Sequence, residues 1–185
     1  MVQKRDNEIM TFEGKIIPEI TFMYREGDEK PEAGGCPIGG IWKPTTTDDI
    51  FKGKRVIVFS LPGAYTPTCS TYQLPGFEEM YNDFKSKGID EIYCSSVNDG
   101  FVMNAWADYI GIDNVKLIPD GNGELAGACG MLIDMSAVGF GKRSRRFAMV
   151  VNDGVVEKAF VEPESTDDNP DPYGETSPEN VMNKL

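Results

Sequence analysis

With 185 residues, 40 % of them apolar and 10 % aromatic, the chain can bury a sizeable core and fits a single domain spanning residues 1–185, which rules out wholesale disorder and a collagen-like structure. Thirty acidic residues against 18 basic ones leave a net charge of −12, and repulsion from phosphate backbones argues against a nucleic-acid partner. The N-terminal MVQKRDNEIMTFEGK lacks the apolar centre of a signal peptide, and no run of about 18 apolar residues occurs, so the expectation is a cytoplasmic protein with no membrane partner.

In chain order, KIIPEITFMY over 15–24 reads as a strand interrupted by Pro18, which suits an edge. REGDEKPEAGGCPIGGIWKP over 25–44 is rich in Gly, Pro and charge and reads as a long loop, with 27–44 as an insertion carrying Cys36. Thr45 to Asp49 supply N-cap and acidic first-turn residues for a short helix. The continuous apolar run RVIVFSL over 55–61 has the pattern of a strand buried on both faces. After PGAYTPTCS, Phe77, Met80, Tyr81 and Phe84 recur at helical spacing, with Pro75-Gly76 expected to kink or interrupt the segment.

IDEIYCSSV over 89–97 is a further strand, and 99–110 a helix with Phe101, Ala105, Trp106 and Tyr109 on one face. A short strand over 115–118 and a helical turn over 124–131 follow. Residues 147–151 and 155–161, joined by Asn152-Asp153-Gly154, carry a hairpin signal. The segment 163–185 is acidic and Pro-rich before a last short helix capped by Ser177 or Thr176. Alternating strands and helices with a closing hairpin predict an α/β fold, a mixed central β-sheet flanked by helices.

Four cysteines, at 36, 69, 94 and 129, are too few and too scattered for a secreted disulfide scaffold and point to a reducing compartment. There is no histidine, so Ser-His-Asp and Cys-His-Asn mechanisms are excluded, and no close cysteine pair exists to build a zinc site. Cys69 follows a buried strand and opens a helix, whose unpaired N–H groups favour a thiolate, the nucleophilic form. Read alone, it is either an activated nucleophile or a small buried residue. Thr66 stands three residues earlier, where its hydroxyl can be aimed at the sulfur or at a bound oxygen, and Pro62 and Pro67 stiffen the loop.

Pro62, Thr66 and Cys69 form P-x-x-x-T-x-x-C, and the blocks FSLPGAYTPTCS, LPGF, SVND and GFGKRSRRFAMVVNDGVVEKAFVEP follow in order. Over residues 15–163 the chain resembles the peroxiredoxins, specifically the peroxiredoxin-5 (type II) branch and the bacterial form fused to glutaredoxin. That resemblance implies a thioredoxin-like fold and a thiol-dependent peroxidase, with hydrogen peroxide and alkyl hydroperoxides as substrates and no cofactor or metal. It implies Cys69 as the peroxidatic cysteine, oxidised to a sulfenic acid, with Arg146 as the stabilising cation, Thr66 and the Cys69 N–H as peroxide-binding groups, and Pro62 as a shield. It also implies a homodimer, for which Tyr65, Phe77, Trp106 and Phe140 are apolar candidates.

Residues 130–185 contain no cysteine, so a C-terminal resolving thiol is missing. Cys94 aligns with a second cysteine of some relatives, and Cys36 sits in the insertion; both are candidate resolving residues, although a packing role suits Cys94 and Cys129 better. Gln73 stands where the family usually has histidine. The expected reductant is therefore external, glutathione with glutaredoxin, or thioredoxin. Arg143 and Arg145 read as a solvated basic patch or a site for an acidic partner. The competing readings are a peroxide sensor or redox-regulated binding protein, with the acidic tail or that patch engaging a partner, and an inactive thioredoxin-like fold with a structural Cys69.

Overall fold

The computed structural model describes residues 12–29 and 38–185, and its first departure from the sequence reading is the expected loop over 27–44. β1 (Thr21–Glu29) and β2 (Ile38–Thr46) pair antiparallel from Thr21 opposite Thr46 to Glu29 opposite Ile38. Gly27, Gly39 and Gly40 all take positive φ, so residues that look like loop punctuation bend a ladder instead. The Arg25 guanidinium pins this arm, 4.8 Å from the Trp42 ring centroid and 4.6 Å from that of Phe101. Upstream, Ile16 makes only an isolated bridge to Val155. Cys36 lies outside the described residues.

α1 (Thr47–Phe51) forms where its cap predicts: Thr46 Oγ1 accepts from Asp49 N–H at 3.2 Å and the Asp49 carboxylate accepts from Thr46 N–H at 2.8 Å. β3 (Arg55–Leu61) is then buried on both faces, Val56 and Val58 in one core cluster, Ile57, Phe59 and Leu61 in the other. Beyond the loop at 62–66 the chain turns helical at Pro67, widens to a π-turn over Cys69–Gln73, and continues as α2 (Leu74–Glu79) and α3 (Tyr81–Ser86). Phe77 stacks on Phe59 with centroids 4.1 Å apart, and Phe84 lies 5.6 Å from Phe77, docking both helices on the sheet.

β4 (Glu91–Ser96) pairs parallel with β3, α4 (Gly100–Ile110) starts at the Asp99 cap, and β5 (Lys116–Pro119) pairs parallel with β4. The buried face of α4 only partly matches the sequence reading: Trp106 points inward as expected, joined by Met103, whereas Phe101, Ala105 and Tyr109 are exposed. Phe101 instead meets Trp42 edge-on at 5.4 Å, contributing to the arm's seat. α5 (Glu124–Ala128) leads to a short ladder absent from the sequence reading, β6 (Leu132–Asp134) with β7 (Lys142–Ser144).

β8 (Phe147–Asn152) and β9 (Val155–Val161) form the expected hairpin across Asp153 (φ 48°) and Gly154 (φ 81°), both in the left-handed region that a two-residue primed turn requires. β8 runs antiparallel to β3, giving the mixed order β5-β4-β3-β8-β9. Side-chain alternation sends Phe147, Met149 and Val151 to one face and Ala148 and Val150 to the other, where α2, α3 and α4 pack. Arg146, one residue before Phe147, therefore faces the helix side. The chain closes with α6 (Pro178–Asn183), capped by Ser177, whose Oγ accepts from Asn180 N–H at 3.3 Å. No helix among the described residues is long and apolar enough to cross a membrane.

Candidate active site

The segment 62–66 is held by side chains from two other elements. Asn98 Oδ1, past the end of β4, accepts from Ala64 N–H at 3.1 Å and from Ser96 Oγ at 2.7 Å. Arg143 of β7 donates to the Phe140 carbonyl at 3.0 Å and brings Nη1 to 3.5 Å from the Pro62 carbonyl and 3.4 Å from Asn98 Oδ1. Gly63 makes room for it, because a Cβ there would stand 3.0 Å from Arg143 Nη1. Arg143 is thus a loop support rather than part of a solvated patch. Arg145 donates to the Glu162 carbonyl at 2.9 Å and is likewise engaged.

Within the loop Tyr65 takes φ +62°, a conformation that costs a non-glycine residue roughly 1 kcal/mol. The loop corrects one detail of the sequence reading. Thr66 gives its hydroxyl proton to the Gly63 carbonyl at 2.8 Å, so the oxygen's lone pairs, not its proton, remain for a bound molecule.

Cys69 begins the π-turn, fully buried in the helix-side core with Ile57, Phe59, Leu61 and Cys94. Such single wide turns are common at functional sites; here Leu74 N–H bonds the Cys69 carbonyl, and Pro75 follows with no N–H of its own. Trp106 Nε1 donates to Ser70 Oγ at 3.0 Å and fixes the turn to α4.

Arg146, only 3 % exposed, donates through Nη1 to Cys69 Sγ at 3.4 Å and to Gln73 Oε1 at 2.6 Å. Its Nη2 donates to Asp171 at 2.6 Å, while Nε has no partner. Burial works against its charge, but the Cys69 sulfur and the Asp171 carboxylate outweigh it and hold the guanidinium protonated above its usual range. The sulfur and the cation, 77 positions apart in sequence, are direct neighbours.

Gln73 fills the place of the family's histidine with an unambiguous orientation: its oxygen accepts from Arg146, and Nε2 donates to Thr176 Oγ1 at 3.2 Å. Thr176 passes its own proton to Glu162 at 2.8 Å, and Glu162 also accepts from the backbone of Gly174 and Thr176. Part of the acidic, Pro-rich segment, from Asp171 to Thr176, is therefore bound over the site. No sequence motif marks Asp171, and although Glu162 lies in the block GFGKRSRRFAMVVNDGVVEKAFVEP and Thr176 is a candidate cap, only the tertiary approach of the C-terminus to α2 reveals their link to the site.

Cys94 lies fully buried on β4, and burial together with the neighbouring Cys69 pushes its thiol well above the usual range. Cys129 is core, pushed up to about 12 by burial and Asp120. Of the apolar candidates for an interface, Phe77 and Trp106 are core residues, while Tyr65 and Phe140 are exposed.

The chain matches the family model described as Redoxin over residues 25–175. It is 55 % identical over 178 residues to a peroxiredoxin of Rhizobium etli, covering 95 % of this chain and 97 % of that one. A hybrid peroxiredoxin of Haemophilus influenzae is 48 % identical over 158 residues, 85 % of this chain and 61 % of that longer relative. Among solved structures, reduced Prx3 of Vibrio vulnificus in complex with hydrogen peroxide superposes with a TM-score of 0.78 at 31 % identity, over 95 % of this chain and 96 % of that one. A thioredoxin-like sheet with a buried cysteine facing a buried arginine, matched along nearly its whole length, places the chain in the redoxin family, among the peroxiredoxins, which are thiol-dependent peroxidases.

Proposed function

We propose that this peroxidase works through Cys69 as the peroxidatic cysteine, on hydrogen peroxide and alkyl hydroperoxides, and returns its sulfenic acid to thiol with an external thiol. The observation that carries the reading is the 3.4 Å contact of Arg146 Nη1 with Cys69 Sγ inside a fully buried site. The Cys69 thiolate attacks the terminal oxygen of the hydroperoxide; the S–O bond forms as the O–O bond breaks, and sulfur is oxidised by two electrons. The departing alkoxide or hydroxide takes a proton and leaves as alcohol or water.

Negative charge spreads from sulfur onto both oxygens during this step, and fixed donors in a dry site stabilise it without reorganising. Arg146 supplies the cation and, at Nε, an unused donor. Thr66 supplies an acceptor for the peroxide O–H, and Pro62 covers the loop side.

The state of Cys94 supports resolution by an external thiol. A thiol held protonated and fully buried is a poor partner for the sulfenic acid. A first external thiol condenses with the sulfenic acid to a mixed disulfide and water, and a second displaces Cys69 as thiolate. Glutathione with glutaredoxin is the proposed pair, supported by the similarity to the hybrid relative. Peroxide-dependent NADPH oxidation with each purified reducing system tests this: glutathione and glutaredoxin should sustain turnover, and turnover with thioredoxin alone would overturn it. A cytoplasmic homodimer, using the exposed Tyr65 and Phe140, completes the proposal.

Against the sensor reading, Arg143 and Arg145 of the basic patch are engaged within the fold, and catalytic turnover separates the two.

A further inference from the structure

The segment that crosses the site from Asp171 to Thr176 does more than cover it. We propose that Asp171 is a positioning residue for the peroxidase reaction: clasped onto the body by Glu162, it grips Arg146 from the side away from Cys69 and fixes the plane of the guanidinium. This inference rests on the assignment of Cys69 and Arg146 made above.

The geometry carries it. Arg146 Nη1 uses its two protons on Cys69 Sγ at 3.4 Å and Gln73 Oε1 at 2.6 Å. Those contacts come from one short turn and leave the fork free to tilt; Asp171 at Nη2, 2.6 Å away, supplies a contact from a different element. Asp171 is itself anchored. Two residues on, the Tyr173 ring lies 5.8 Å from the Arg146 guanidinium carbon and stacks against Tyr72 at 6.4 Å. Glu162, 3 % exposed, then accepts from the N–H groups of Gly174 and Thr176 and from the Thr176 hydroxyl, each at 2.8 Å. Gly76 lets the following Pro178 in: a Cβ at 76 would stand 3.0 Å from its ring.

The charge balance gives Asp171 a second effect. Before the attack Arg146 lies between a thiolate and a carboxylate; once the sulfur is a neutral sulfenic acid, Asp171 is its remaining counter-charge among the described ion pairs. A buried guanidinium that loses its partner is strongly disfavoured where it stands, so Asp171 keeps Arg146 in place through the step that removes the other negative charge.

The test compares the reduced full-length chain with Asp171→Asn, Asp171→Glu, Asp168→Asn and Cys69→Ser. Each is mixed with hydrogen peroxide by stopped flow and, separately, with iodoacetamide, a neutral electrophile that the same sulfur attacks with loss of iodide but that brings no peroxide oxygen for Arg146 to hold. Asp171→Asn should slow oxidation about tenfold, the scale of one hydrogen bond to a charged group, while alkylation stays within about twofold. Asp171→Glu should recover most of the loss, and Asp168→Asn, altering an exposed neighbouring acid, should react as wild type. Wild-type oxidation in Asp171→Asn, equal slowing toward both reagents, or no recovery in Asp171→Glu overturns the assignment. A wild type that reacts with peroxide no faster than Cys69→Ser overturns instead the peroxidatic role of Cys69, and the positioning role with it.

Discussion

At the scale of single residues, the proposed function rests on a buried sulfur and a buried cation brought together by the direction of two side chains. Alternation along β8 sets the second direction: Phe147 faces one core, so Arg146 faces the other. A lysine at 146 would keep the charge and lose the planar fork that serves Cys69, Gln73 and Asp171 at once. Arg146→Lys should lower the second-order rate of peroxide oxidation by about a hundredfold, the usual effect of removing a transition-state donor, as read by stopped flow. Thr66→Val removes the acceptor and unlocks the loop at Gly63, and should slow the same reaction about tenfold. The sequence already proposes Cys69, Thr66 and Pro62 from one short motif and Arg146 from the resemblance, and the structure brings Arg146 to Cys69. It does not propose Asp171, because nothing local distinguishes a carboxylate that meets a partner across the fold from one in solvent, and it gives Glu162, though inside one of the matching blocks, no role.

Elements were legible wherever burial is two-sided or a cap is explicit. RVIVFSL became β3, and the Thr46-Asp49 capping box started α1. Beyond Tyr24 the β1–β2 arm was missed because its glycines and charges read as loop, whereas Arg25, Trp42 and Phe101 build a local aromatic seat that periodicity does not register. One loop has a pH-dependent contribution. The Glu78 carboxylate on α2 accepts from the backbone of Asp113, Asn114 and Val115 and from the Asn114 side chain. Burial pushes its pKa up, but these donors outweigh it and hold Glu78 below the usual carboxylate range. A lowered folded pKa stabilises fully above about pH 4.3 and is lost as pH falls through it. Glu78→Ala should cost about 2 kcal/mol in denaturant unfolding at pH 7, and the gap from wild type should shrink toward pH 3.

At the scale of the whole molecule, the mixed sheet separates two cores, and all of the proposed chemistry lies on the helix-covered side, closed by the C-terminal segment. Exposed Tyr65, Tyr109, Val138 and Phe140 give the loop side an apolar character that suits a second copy of the chain. Sedimentation velocity of the reduced protein should show a dimer that Tyr65→Asp weakens; a monomer at every concentration would contradict the proposed assembly.

The central claim, that Cys69 is the sulfur peroxide oxidises, is tested most directly by stopped-flow oxidation of the reduced chain beside Cys69→Ser and Cys94→Ser, with sulfenic-acid trapping and intact mass on each product. The account predicts fast oxidation in the wild type and in Cys94→Ser, a trapped sulfenic acid in both, and neither in Cys69→Ser. Equal, slow oxidation of all three would contradict it.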